Sequence, residues 1–414
     1  MTASAPAAHR SAIKALTYMM FMMFALTTES VGLIIPEVMR SFHLGMTASG
    51  AFHYAPMTAI ALAGIGLGFL ADRLGRKRTI ILGLCLFALN AYLFALASSY
   101  AAFLALLTVS GVAIGIFKTG ALALIGDISR SAQEHTTTMN TVEGFFGLGS
   151  IIGPAIVARL LLQGVSWKWI YVIAGAVCTL LVLIASRVRY PETVGSAPEP
   201  VTLHRTARIL GRPIALGFSL ACFLYVALEC SIYVWLPTYL ASDANSRPVM
   251  IVWSVPIFFA LRAGGRFLGA HLLARHDWTL VLLLFSGLIL ACFAGALLGG
   301  IRIAAILLTL SGLFMSVIYP TLNSKGISCF HKSEHGAVAG VILFFSCAGA
   351  GVGPLAMGAA ADLFGNPKYC FVLATLFAAL LFAGLLYNWL KDPTRTRLRQ
   401  LDRSEYDVGG AAAE

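Results

Sequence analysis

The sequence predicts an all-α polytopic membrane protein of about twelve transmembrane helices, set in two pseudo-symmetric six-helix halves with both termini cytoplasmic. Three observations predict it: the composition, a ladder of apolar runs, and a repeat. Of 414 residues, 59% are hydrophobic and only 11% are charged, against roughly 25% charged in a soluble globular chain. Each spanning helix needs about 20 largely apolar residues. Runs of that kind fall at about 13–36, 47–70, 79–97, 101–126, 139–162, 168–186, 213–240, 248–272, 279–299, 302–327, 336–361 and 368–390, here spans 1 to 12. No stretch is left over for a large soluble domain.

The repeat has one offset, about 200 residues. Gly126, Gly149, Gly153 and Pro154 recur as Gly326, Gly349, Gly353 and Pro354. Glu29 recurs as Glu229, each followed about two turns later by a proline, Pro36 and Pro237, and Gly64 and Gly68 recur near Gly265 and Gly269. One offset linking four separate helices divides the chain into a bundle at 1–186, a basic linker at 187–212, a second bundle at 213–392 and a tail at 393–414.

Charge sets the topology. Loops after even-numbered spans hold Arg73, Arg76, Lys77, Arg78, Arg130, Arg187, Arg189, Arg205, Arg208, Arg212, Arg275 and Lys332, whereas the opposite loops hold Arg40, Lys168, Arg247, Arg302 and Lys368. The positive-inside rule then puts both termini in the cytoplasm, in a cell inner (plasma) membrane. The net charge of +11 is thus a topology signal, and no nucleic-acid partner is expected. The first apolar run is too long for a signal-peptide core and reads as a permanent helix. Of eight cysteines, seven fall within apolar runs and Cys329 at a helix end; none has metal-ligand spacing. No cofactor or metal is expected. The absence of a nucleophile–base pairing or phosphate loop argues against an enzyme.

Between spans 2 and 3 stands Gly68-Phe69-Leu70-Ala71-Asp72-Arg73-Leu74-Gly75-Arg76-Lys77-Arg78, an acid, four bases and two glycines in eleven residues. It resembles the signature loop of the major facilitator superfamily, and that resemblance covers nearly the whole chain. It implies secondary transport by alternating access, with solute bound between parallel halves near the midplane. It also implies that Gly68, Asp72, Arg73, Gly75 and Arg76 take part in conformational change. Gly153-Pro154 and Gly353-Pro354 join them as gating candidates. Small residues let helices approach closely in lipid, and proline permits a kink; simple packing is the plainer alternative. A monomer is expected, since each chain supplies both halves.

Charges inside the bilayer cost about 2.5–3.5 kcal/mol each on insertion scales, so their retention points to use. Glu29 in span 1 is the leading candidate for proton coupling, because low dielectric raises a carboxyl pKa toward a range where it exchanges protons. Glu229 holds the equivalent place in span 7. Lys118 in span 4 wants an anion: a substrate carboxylate or phosphate, or else Glu29 or Glu143. Arg262 is one turn outward of Arg266 in span 8 and is the better substrate contact of the two. Tyr225, Trp235, Tyr319 and Asn323 complete the expected substrate-binding set with Lys118, Glu29, Glu143 and Arg262. His53 and Tyr54 open span 2, at an outer vestibule or in packing.

Residues 220–355 are also similar to the fucose–glucose proton symporter branch of the superfamily. The likeness rests on Glu229 followed by Trp235 in span 7, Gly265-Arg266-Phe267 in span 8, and Gly312 to Leu322 in span 10. One departure matters. Where that branch carries a functional glutamate before threonine in span 4, this chain has Lys118-Thr119. A base in place of an acid favours an anionic or zwitterionic solute, such as an organic or sugar acid, over a neutral sugar. Span 1, with Thr27-Thr28-Glu29 and Pro36, is similar to drug–proton antiporters, so export of amphipathic compounds is the competing expectation.

Overall fold

The computed structural model describes residues 7–67, 70–129, 132–190, 209, 211–244, 246–330, 335–394, 397 and 398. Among them every regular element is helical. The first helices are α1 (Ala7–Thr28), α2 (Val31–Phe42), α3 (Ala51–Gly66), α4 (Arg76–Leu96), α5 (Tyr100–Ile128), α6 (Ala132–Leu162) and α7 (Trp169–Arg187). After the linker come α8 (Pro213–Cys230), a π-helical turn at Ser231–Trp235, α9 (Leu236–Ala241), α10 (Pro248–Arg275), α11 (Trp278–Met315), α12 (Ile318–Ser328), α13 (His335–Phe364) and α14 (Lys368–Lys391). Gly68, most of the linker and most of the tail lie outside the described residues, as does the side chain of Asp72.

The fold is an all-α polytopic membrane fold. Among the described residues, ten helical runs are long and apolar enough to cross a bilayer. One of them, Trp278–Ser328, is 51 residues long and turns at Gly300, whose φ of 77° and ψ of −179° no side-chain-bearing residue adopts readily. Helix α3 has 16 residues, short of the length a span ordinarily needs.

Several helices outrun their apolar cores. Span 1 was expected to end near residue 36, but α2 continues to Phe42 because Glu37 and Arg40, one turn apart, pair with each other. Helix α6 starts at Ala132 rather than near 139, and Lys14 reaches Glu134 at 2.8 Å. Charged residues end an apolar run without ending a helix.

The chain divides into two compact units: Met1–Pro198 with Asn245–Phe259, and Glu199–Ala244 with Ala260–Glu414. Helix α10 is therefore shared. In the first unit α6 packs along α1 so closely that a methyl at Gly149 or Gly153 would strike the carbonyl of Met22 or Leu26. In the second, α13 packs along α8, with Gly349 against the Phe223 carbonyl and Gly353 against Ala227. Pro154 and Pro354 follow inside these helices. An aromatic cluster of Phe52, Phe94, Phe103, Trp167 and Tyr171 fills one end of the first unit, with Phe94 and Tyr171 stacked at 3.9 Å between ring centres.

Candidate functional site

Span 1 was expected to run unbroken past Glu29. Instead α1 stops at Thr28 and α2 begins at Val31, leaving Glu29 and Ser30 at the break. Hydroxyls cover the carbonyls there: Thr27 and Thr28 donate to the Phe24 carbonyl at 3.1 and 3.2 Å, and Ser30 to that of Leu26 at 2.6 Å. Pro36, one turn into α2, lacks the amide that would bond back to Gly32, which weakens the helix just beyond the break. Glu29 is buried, and its Oε1 accepts from the Thr28 hydroxyl at 3.2 Å. Thr27, Thr28, His53, Ser110 and Tyr171 line a small cavity beside it, so His53 is buried in the unit.

Lys118 lies on α5, half-buried. It makes neither ion pair weighed from the sequence. Among the described residues its partner is the Phe146 ring of α6, 5.8 Å from Nζ. Glu143, one turn before Phe146, is exposed and has no hydrogen bond or ion pair among the described residues. A cation over an aromatic face is worth about 0.5–2 kcal/mol, so the hold on the ammonium is weak. Lys118 thus carries no ion pair among the described residues.

In the second unit the acid is differently placed. Glu229 sits in the last turn of α8, and the π-helical turn at Ser231–Trp235 follows at once. Pro237 explains the widened turn, since its ring would press on the Tyr233 carbonyl in a regular helix. Arg262 Nε stands 2.7 Å from Glu229 Oε1, an ion contact whose N–H does not point along the line between them. Tyr225, one turn before Glu229, is buried, donates to the Met315 carbonyl at 2.8 Å and stacks on half-buried Tyr319 at 6.1 Å. Trp235 is fully buried and donates its indole N–H to the Pro354 carbonyl at 3.0 Å, fastening the π turn to α13. Asn323, one turn along α12 from Tyr319, is half-buried with no hydrogen bond among the described residues. The structure thus gathers Tyr225, Glu229, Arg262 and Tyr319 into one cluster and engages Trp235 in packing.

The loop between α3 and α4 is tied down within the first unit. Residues Leu70–Arg73 form a single helical turn, with Arg73 exposed, and Gly75 takes φ of 83° to enter α4. Buried Arg76 meets Asp127 at the end of α5, Nε to Oδ2 2.9 Å. Lys77 donates to the carbonyls of Ser186 and Val188 at 2.7 and 2.8 Å, capping the C-terminal end of α7. Asp127 is the partner that sequence reasoning misses; a lone acid at the end of span 4 was the available signal.

Apolar helices of this number make a multi-pass membrane protein, and its family makes it a transporter and not an enzyme. The chain belongs to the Major Facilitator Superfamily, whose model matches residues 17–354. A glucose/galactose transporter of Brucella abortus is 25% identical over 384 residues, covering 89% of this chain and 92% of that one. The L-fucose-proton symporter of Escherichia coli is 25% identical over 412 residues, covering 88% and 92%. In fold, the chain is similar to a bacterial homolog of the human lysosomal transporter Spinster, with TM-score 0.74, 17% identity and coverage of 92% and 97%.

Proposed function

We propose that the protein is a proton-coupled secondary active transporter of a small anionic or zwitterionic solute, such as an organic acid or sugar acid. In this reading Glu29 carries the proton and Lys118 orients the solute's negative group. Twelve spans form two six-helix halves with cytoplasmic termini, α3 and the two arms of the helix bent at Gly300 making up the number, and the chain works as a monomer. The observation that carries the reading is Lys118, half-buried with only a π face for company among the described residues. A solute carboxylate would supply the missing counter-charge, and Phe146 would yield the ammonium readily because its hold is weak. The Glu229–Arg262 pair serves as an internal anchor of the second unit.

Neutral-sugar symport is the second reading, favoured by the two relatives, a glucose/galactose transporter and an L-fucose-proton symporter. Proteoliposomes loaded with a pH-sensitive dye separate the two. Proton movement on adding sugar acids or carboxylates, with half-saturation raised about tenfold or more by Lys118→Ala, supports the anion reading. Movement with glucose or fucose that ignores Lys118→Ala overturns it. Glu29→Gln is expected to abolish uphill accumulation while sparing exchange, and a mutant that still concentrates solute removes Glu29 from the proton path.

A further inference from the structure

Two contacts fix how α6 is turned about its axis. Phe145 stacks on Tyr18 of α1 with 5.3 Å between ring centres, and on the same face Gly149 and Gly153 lie against Met22 and Leu26. The next residue, Phe146, is about 100° further round the helix and takes the Lys118 ammonium of α5, 5.8 Å from its centre. Glu143, three residues before Phe146, shares its face of α6. A base and an acid thus flank one aromatic ring from two helices, yet among the described residues neither has an ion pair.

Both charges lie within apolar runs. Lys118 belongs to Tyr100–Ile128, and Glu143 is six residues past the start of Thr137–Leu162, roughly 9 Å in at 1.5 Å per residue. Glu143 is exposed. A carboxylate exposed to lipid at that depth is expensive, so this face of α6 meets water. The two signs then select among solutes. A carboxylate held at Lys118 feels Glu143 as a like charge, which works against a plain anion. A solute that also carries an ammonium group turns that repulsion into attraction. Its positive end also gains the Phe146 face once Lys118 has moved to the carboxylate.

We propose that Lys118, Phe146 and Glu143 form a site for a zwitterion of the amino acid class, Lys118 holding the carboxylate and Glu143 the ammonium. This rests on the reading of Lys118 as the holder of the solute's negative group, and narrows it. With one proton per solute, a zwitterion carries one positive charge across per cycle, whereas a monoanion carries none. Proteoliposomes with a pH-sensitive dye and a potential set by valinomycin and potassium test the site. Each neutral amino acid is offered beside the 2-hydroxy acid that has a hydroxyl in place of its ammonium. At least one amino acid should half-saturate about tenfold below its hydroxy acid, and an inside-negative potential should speed its uptake. Glu143→Gln should raise that half-saturation about tenfold and so erase the preference. Because Glu143 makes no hydrogen bond among the described residues, Glu143→Gln should melt with the wild type, which separates lost binding from lost folding. Uptake of no amino acid, a preference for the hydroxy acids, or amino acid uptake indifferent to Glu143→Gln overturns this proposal; if Lys118→Ala still weakens hydroxy acid uptake, the anionic solute stands. Proton movement indifferent to Lys118→Ala overturns both.

Discussion

Glu29 in the first unit and Glu229 in the second stand 200 residues apart at matching places, yet their surroundings differ. Each lies on a helix gripped by a glycine-proline partner, α6 against α1 and α13 against α8. Each also lies where the helix departs from regularity. In the first unit the helix is interrupted at Glu29 and Ser30; in the second it stays continuous but widens into a π turn. The charges diverge further. Arg262 comes to 2.7 Å from Glu229, whereas the half-buried base of the first unit, Lys118, rests on Phe146. The two units thus differ: an acid within 2.7 Å of a base in one, and in the other a base whose partner among the described residues is an aromatic ring. Under the proposed function, binding and releasing a charged solute calls for the second condition at Lys118 and the first where the fold only has to hold together.

The largest test of this contrast is Arg262→Ala. It removes the base 2.7 Å from buried Glu229, and the loss expected in thermal unfolding is about 3 kcal/mol, the low end for such pairs because Arg262 is partly exposed. The double change Glu229→Gln with Arg262→Gln should recover most of it. A single mutant as stable as the wild type would show that the pair anchors nothing.

Glycine substitutions come next. Gly153→Ala meets the carbonyl and backbone of Leu26, which cannot yield without moving α1, so a loss of about 2 kcal/mol is expected. Gly353→Ala meets Cβ and Cα of Ala227, which likewise cannot yield without moving α8, so a similar loss is expected. Melting temperatures that differ widely between the two mutants would show that the grips are not equally tight.

The smallest stability effect belongs to Lys118→Ala. Only a cation–π contact is removed, so unfolding should shift by about 0.5–1 kcal/mol or less while solute transport collapses. A destabilisation as large as that of Arg262→Ala would make Lys118 a structural residue.

Much of this was legible in the sequence, for specific reasons. The spans follow from apolar runs, and the grips of α6 and α13 from glycines four residues apart, Gly149 with Gly153 and Gly349 with Gly353. The proximity of Tyr225 and Glu229 follows from their spacing of one turn. The interruption at Glu29 was not read, because nothing in Thr27-Thr28-Glu29-Ser30 forbids a helix; hydroxyls bonding to the previous turn make it tolerable. Nor could the sequence choose Phe146 over Glu29 or Glu143 as the neighbour of Lys118. That choice depends on how α5 and α6 rotate against each other, which both sequences of side chains permit in several ways. The overrun of α2 to Phe42 escaped for a similar reason, since a charged pair reads as an end when apolar content is the only guide.

Gly300 carries a consequence for how the protein is made. Its left-handed φ turns the chain within a run of 38 residues that contains no charge before Arg302. No hydrophilic loop separates the two arms, so neither can be parked in the bilayer while the other waits in water. Under the twelve-span reading the two arms would have to enter lipid together, and a residue with a side chain at 300 would have to adopt this left-handed backbone at a cost of about 1–3 kcal/mol.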